Sequence, residues 1–158
     1  MQNDRPNALT HPAQSFTADL PVLFKSAAAP LILAFVLSVK ALMIAALFGD
    51  GMGDQLLLAA RYTARVSFAV LLVAYSASSL LRLWPSEGTK LLVRHRRQWG
   101  LGFALAHTIH LAALTMYNIF ILNMPGLQAL LGGGIAYGLM FVMALTSNKV
   151  SMKAMGIW

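Results

Sequence analysis

The stretch RHRRQWGLGFALAHTIH, residues 94–110, joins a dense basic cluster to an apolar helix that contains two histidines. Positive charge next to an apolar run marks the cytoplasmic end of a membrane-spanning helix. The stretch therefore predicts a transmembrane helix that enters the bilayer from the cytoplasm. His107 and His110 lie inside its apolar part.

The composition is that of a membrane protein. Of the 158 residues, 58% are hydrophobic and only 11% are charged, about half the charged fraction of an ordinary soluble domain. The Lys and Arg residues behind the net charge of +7 flank apolar runs, so we expect the lipid bilayer, and no nucleic acid, as their partner. Because the chain has no cysteine, redox chemistry would require histidine ligands and a bound cofactor.

Four apolar runs are each long enough to cross a bilayer. The predicted spans are residues 27–48, 56–84, 98–122 and 127–146. They form one transmembrane domain, residues 23–158, which follows a loosely ordered cytoplasmic tail at residues 1–22. We therefore predict an all-α integral membrane helical bundle of about four transmembrane helices in the cell inner membrane.

The loops between the runs predict the orientation. Residues 81–97 contain five cations and one acidic residue, which places this loop in the cytoplasm. Residues 49–55, GDGMGDQ, contain no cation and are predicted to be an outside turn. Both termini are then cytoplasmic. Lys40 interrupts the first span, where it either extends to the membrane surface or faces a polar partner in the bundle.

The two histidines are the main candidates for chemistry. A spacing of three residues places them about 60° apart on one helical face. Histidine is rare within lipid-spanning segments, since both ring nitrogens must be satisfied without water. Haem ligation, interhelical hydrogen bonds, and a metal or proton relay all remain open. Small residues on the same helix, Gly102, Ala106 and Ala113, would leave room for a flat porphyrin beside His110.

Two arginines begin the neighbouring span at the level of His110. Arg61 and Arg65 are four residues apart and therefore share a helical face. His110 lies 13 residues beyond Arg97, about 20 Å above the inner edge of the membrane. The arginines either contact lipid phosphates or neutralise haem propionates. His95, within the basic loop, is expected to be solvated.

Residues 60–158 resemble the ferric reductase-like transmembrane domain family. The similarity lies in the span RYTARVSFAVLLVAYSASSLLRLW (61–84), the basic turn RHRRQWGLG (94–102) and the closing ALTSNKVSMKAMGIW (144–158). The resemblance implies a haem b whose iron takes His110 as an axial ligand. His107 matches an AHxxH variant of the motif and is implied as the ligand of a second haem or as a hydrogen-bond partner.

The resemblance also implies a function. Such a protein passes electrons from a cytoplasmic donor protein or a quinol to an acceptor outside the cytoplasm, such as a periplasmic reductase. Quinone or flavin is a further candidate cofactor. The family's other ligating histidines follow a tryptophan similar to Trp158, so the second axial ligand is expected outside this sequence. The alternatives are a non-catalytic membrane anchor or assembly subunit, and a truncated fragment unable to hold haem alone.

Overall fold

The computed structural model describes residues 26–122 and 126–146, which form five α helices and no strand. The helices are α1 (Ala29–Phe48), α2 (Gly51–Leu83), α3 (Glu87–Arg94), α4 (Arg96–Phe120) and α5 (Leu127–Thr146). The predicted all-α class is confirmed for these residues. Residues 1–25, 123–125 and 147–158 lie outside the described residues, so the predicted tail at residues 1–22 and the position of the termini stay predictions.

Three helices are long and apolar enough to cross a membrane, as predicted. They are α1, α2 and α4, with 20, 33 and 25 residues. At about 1.5 Å per residue, each reaches or exceeds the roughly 30 Å of a hydrocarbon core. α5 has the predicted bounds, but the apolar stretch described within it, Leu131–Leu145, is shorter than a span. The fourth span therefore stays a prediction.

The turn between α1 and α2 is shorter than the sequence predicted. Residues 49–55 were expected to be a loop, but α2 already begins at Gly51, which has a φ of +81°. The Asp54 carboxylate accepts a hydrogen bond from the Asp50 N–H at 3.1 Å, and the Gln55 side-chain amide donates to Ala46 O at 3.2 Å. Side chains near the start of α2 thus bind the backbone of the turn and of the end of α1, which stabilises a sharp reversal.

The basic loop contains a helix that was not predicted. Ser86 and Thr89 form a reciprocal capping box, which starts α3 at Glu87. α3 ends at Arg94, and α4 begins two residues later at Arg96. The middle of the cationic segment is therefore a short helix in contact with α2 and α4, and its other cations lie at the end of α2 and the start of α4.

The interior of the bundle is built from small residues. Ala34 on α1, Val70 on α2 and Ala106 on α4 form one buried cluster, and Ala45, Ala59 and Ala113 form another. Buried hydroxyls bond within their own helices; the Ser38 hydroxyl, for example, donates to Ala34 O at 2.8 Å. Small side chains allow helix backbones to approach closely, which is how helices associate in lipid.

The large apolar side chains face outward. Phe35 is 52% exposed, Phe68 63% and Ile119 65%. Soluble proteins rarely expose contiguous apolar surface of this kind, whereas lipid tails solvate it. The small interior and the apolar exterior together indicate a membrane environment. Lys40 is exposed and has no ionic partner among the described residues, which agrees with extension toward the membrane surface.

Candidate functional site

The two histidines of α4 lie on one face of the helix, as their spacing predicted. Their ring centroids are 5.6 Å apart, and the ring planes are tilted by 45°. Both side chains are half-buried. The two rings nevertheless face different neighbours, since His110 contacts α2 and His107 contacts α5.

His110 has a defined protonation pattern. Its Nδ1 lies 3.0 Å from the carbonyl oxygen of Ala60 and 3.3 Å from Oγ1 of Thr63. A carbonyl oxygen only accepts hydrogen bonds, so Nδ1 must bear the proton. The Thr63 hydroxyl donates to Ala59 O at 2.7 Å, which leaves its oxygen free to accept from His110 as well.

The other nitrogen of His110 is then the basic one. In a neutral imidazole with a proton on Nδ1, Nε2 has the lone pair. Nε2 has no hydrogen-bond partner among residues 26–122 and 126–146. A histidine that donates one N–H to a backbone carbonyl and offers its other nitrogen is the usual arrangement of a metal ligand.

His107 lies in an aromatic cluster. Its ring is 5.3 Å from that of Phe103 and 5.9 Å from that of Tyr137 on α5, which it nearly parallels at 28°. The Tyr137 hydroxyl lies 3.1 Å from Oγ1 of Thr108. Nδ1 of His107 is buried and has no hydrogen-bond partner in the described part of the chain. This nitrogen can accept a hydrogen bond, but its burial leaves it no surface for a haem iron to approach.

The small residues of α4 pack against other helices, and the porphyrin slot beside them stays a prediction. A Cβ on Gly102 would lie 3.0 Å from Pro30 O and 3.4 Å from Ala34 Cβ. Ala106 is fully buried against α1 and α2, and Ala113 packs in the second small-residue cluster. Small residues in the sequence fit equally well beside a flat ligand and beside another helix, and here another helix lies against them.

The arginines of α2 lie apart from the histidines. Thr63 and Ser67 are buried in the bundle, whereas Arg61 and Arg65 are exposed on the opposite side of the same helix. The Arg65 guanidinium lies over the Tyr62 ring, 5.4 Å from its centroid. The structure does not bring either arginine to His107 or His110. Their exposure fits the alternative of contacts with lipid phosphates.

The described residues do not form a site for a bare metal ion. In the described ranges, no group of three or more His, Asp or Glu side chains could hold a metal ion. A haem iron takes its equatorial ligands from the porphyrin and needs only axial ligands from protein. His110 has a ring nitrogen, Nε2, that is unpaired among the described residues, as such an axial ligand needs. Its partners, Ala60 and Thr63, were not predicted because a backbone carbonyl has no signature in the sequence.

Comparisons with known proteins do not constrain the function. No protein-family model matches the chain, and neither a curated protein nor a solved structure matches it. The functional argument therefore depends on the residues and their geometry.

Proposed function

We propose that this protein is a membrane electron-transfer protein that binds b-type haem through Nε2 of His110. The observation that supports this most directly is the hydrogen bond from Nδ1 of His110 to the Ala60 carbonyl. That bond fixes the tautomer, orients the ring and raises the basicity of Nε2. Bound haem would supply one-electron exchange between ferric and ferrous iron, and the protein would tune its potential.

The surrounding residues would position the ligand. Ala60 and Thr63 hold the His110 ring from α2, and the tight packing of α1, α2 and α4 keeps the ring orientation constant. His107, one turn away, is the ligand of a second haem or a hydrogen-bond partner, and its buried Nδ1 can accept a hydrogen bond. Because other helices pack against Gly102 and Ala106, a haem bound to His110 would lie against another side of α4.

The electron path is proposed from the predicted topology. The basic end of the bundle would face the cytoplasm of a cell whose inner membrane holds the protein, and electrons would arrive there from a donor protein or a quinol. His110 lies in the half of α4 away from that end. An acceptor outside, such as a periplasmic reductase, would then be within reach of the haem.

A second candidate is a non-catalytic membrane anchor or assembly subunit. The same hydrogen bond from His110 to α2 is an interhelical bridge, and the small residues of α4 pack against helices. In this case the histidine stabilises the bundle and binds nothing. The two candidates differ in whether Nε2 of His110 has a function.

Haem titration separates the two candidates. Protein extracted from membranes is titrated with haem, and the oxidised and reduced absorption spectra are compared with those of His110→Ala. Haem ligation predicts a b-type spectrum that depends on His110. A wild-type protein that binds haem no better than the variant would favour the anchor.

A further inference from the structure

A cavity at the basic end of the bundle belongs to neither candidate function. It has a volume of about 390 Å³ and lies between the start of α1, the short helix α3 and the start of α4. This volume is within the range of small-ligand sites. Because α1 and α4 begin here and α2 ends here, the cavity lies where the long helices would leave the bilayer.

The walls combine apolar surface with one unsatisfied polar side chain. Pro30, Leu33, Leu91 and Trp99 supply apolar walls, and His95 lies among them. The hydroxyls of the α3 capping box also reach the cavity, but they are already hydrogen-bonded to each other and to the backbone. Nδ1 of His95 is buried and has no hydrogen-bond partner within the described ranges.

The charge around the cavity is strongly positive. Lys90 is paired with Glu87 at 2.7 Å. The other four cations of this segment are exposed, and the described residues offer them no acidic partner: Arg82, Arg94, Arg96 and Arg97. A cluster of four or more cations immediately beside membrane-spanning helices is typical of binding to anionic lipid headgroups.

We propose that this cavity binds one anionic phospholipid from the surrounding leaflet. The start of an acyl chain lies against Leu33, Leu91 and Trp99, and the phosphate lies near His95 and the exposed arginines. Charge complementarity selects an anionic lipid over a zwitterionic one, since attraction near the surface amounts to about five-fold in affinity per cation. The site does not depend on haem at His110.

Trp99 offers a direct probe of occupancy. The chain has three tryptophans, so Trp84→Phe with Trp158→Phe leaves Trp99 as the only one. The full-length protein is placed in nanodiscs of zwitterionic lipid that contain increasing fractions of brominated phosphatidylglycerol or brominated phosphatidylcholine. We expect half of the Trp99 fluorescence to be quenched at a mole fraction of brominated phosphatidylglycerol at least five-fold lower than the mole fraction of brominated phosphatidylcholine that has the same effect.

Two variants test the parts of the site, and a third is a matched control. Arg96→Gln should reduce the anionic preference several-fold, whereas Lys40→Gln, which removes one exposed cation elsewhere, should leave it unchanged. Gly88→Leu adds a side chain at the cavity wall, where a Cβ meets only Ser86 Oγ, at 3.7 Å. It should abolish the preferential quenching.

Several outcomes would overturn the proposal. Equal quenching by the two brominated lipids would exclude a selective site. If added inorganic phosphate removes the preference, the site recognises phosphate alone and not a lipid. If a quinol displaces the lipid at low mole fraction, the cavity belongs to a neutral ligand. Native mass spectrometry of the unmodified protein is an independent check. Retention of zwitterionic and anionic lipids in proportion to their abundance would also contradict the proposed anionic-lipid site.

Discussion

Replacing His110 by Asn and by Ala separates the two roles of this side chain. The amide nitrogen of Asn is the same number of bonds from Cβ as Nδ1 of histidine, so Asn can still donate to Ala60 O. Neither Asn nor Ala has an equivalent of Nε2. His110→Asn should therefore keep the bridge between α2 and α4 but lose the ligand, and His110→Ala should lose both.

The expected cost in stability follows from the contacts of Nδ1. Interhelical hydrogen bonds in membrane proteins contribute about 0.6 kcal/mol and at most about 1.7 kcal/mol. Ala60 lies within α2, where its carbonyl oxygen also accepts a backbone N–H from the next helical turn, so removal of the histidine does not leave this oxygen unsatisfied. With the lost ring contacts, we expect His110→Ala to lower the free energy of unfolding by about 1–2 kcal/mol and His110→Asn by under about 0.5 kcal/mol.

Two assays on the same preparations measure the two effects. Unfolding in mixed micelles of increasing dodecyl sulfate, followed by circular dichroism, gives the stability difference, and haem titration gives the affinity. Haem affinity should fall at least ten-fold in both variants, whatever their stability. An Asn variant that binds haem as tightly as wild type would refute ligation by His110. Equal destabilisation by Asn and Ala would refute the hydrogen bond as the bridge.

Further substitutions test the packing and the other site assignments. Gly102→Ala should destabilise the bundle by about 1–3 kcal/mol through overpacking against Pro30, whereas Gly100→Ala, where a Cβ meets nothing within 4 Å, should not; the same unfolding assay compares them, and equal effects would contradict the close approach. Arg65→Gln should leave haem affinity within two-fold of wild type because the guanidinium faces away from the histidines, and a ten-fold loss in the titration would restore its role at the propionates. Ser86→Ala removes the side-chain cap of α3 and should cost about 1 kcal/mol, measured as faster amide hydrogen exchange in residues 87–94; unchanged exchange would show that the cap contributes nothing.

The membrane character and most helix bounds could be predicted from the sequence. Apolar runs longer than 18 residues have few alternatives to crossing a bilayer, and both ends of α4 were predicted to within two residues. The start of α2 was missed because three glycines in residues 49–55 suggested a loop, whereas the Asp54 and Gln55 side chains stabilise a helix there. α3 was missed because its eight residues were interpreted by their charge alone.

The site was predictable only in part. The rarity of histidine in apolar segments singled out His107 and His110, and their common face followed from the spacing. His110 donates a hydrogen bond to a backbone carbonyl of α2, and the ring of His107 stacks on that of Tyr137 on α5. Neither contact could be read from the sequence, because both depend on how the helices pack. The packing of Gly102 and Ala106 against other helices could not be read from the sequence for the same reason.

The spectral titration of the wild-type protein with haem tests the proposed function most directly. Protein extracted from membranes should give reduced and oxidised spectra of an imidazole-ligated b-type haem, with an affinity at least ten-fold higher than that of His110→Asn. A folded wild-type protein whose spectrum and affinity equal those of His110→Asn would contradict haem ligation and leave His110 as a helix bridge.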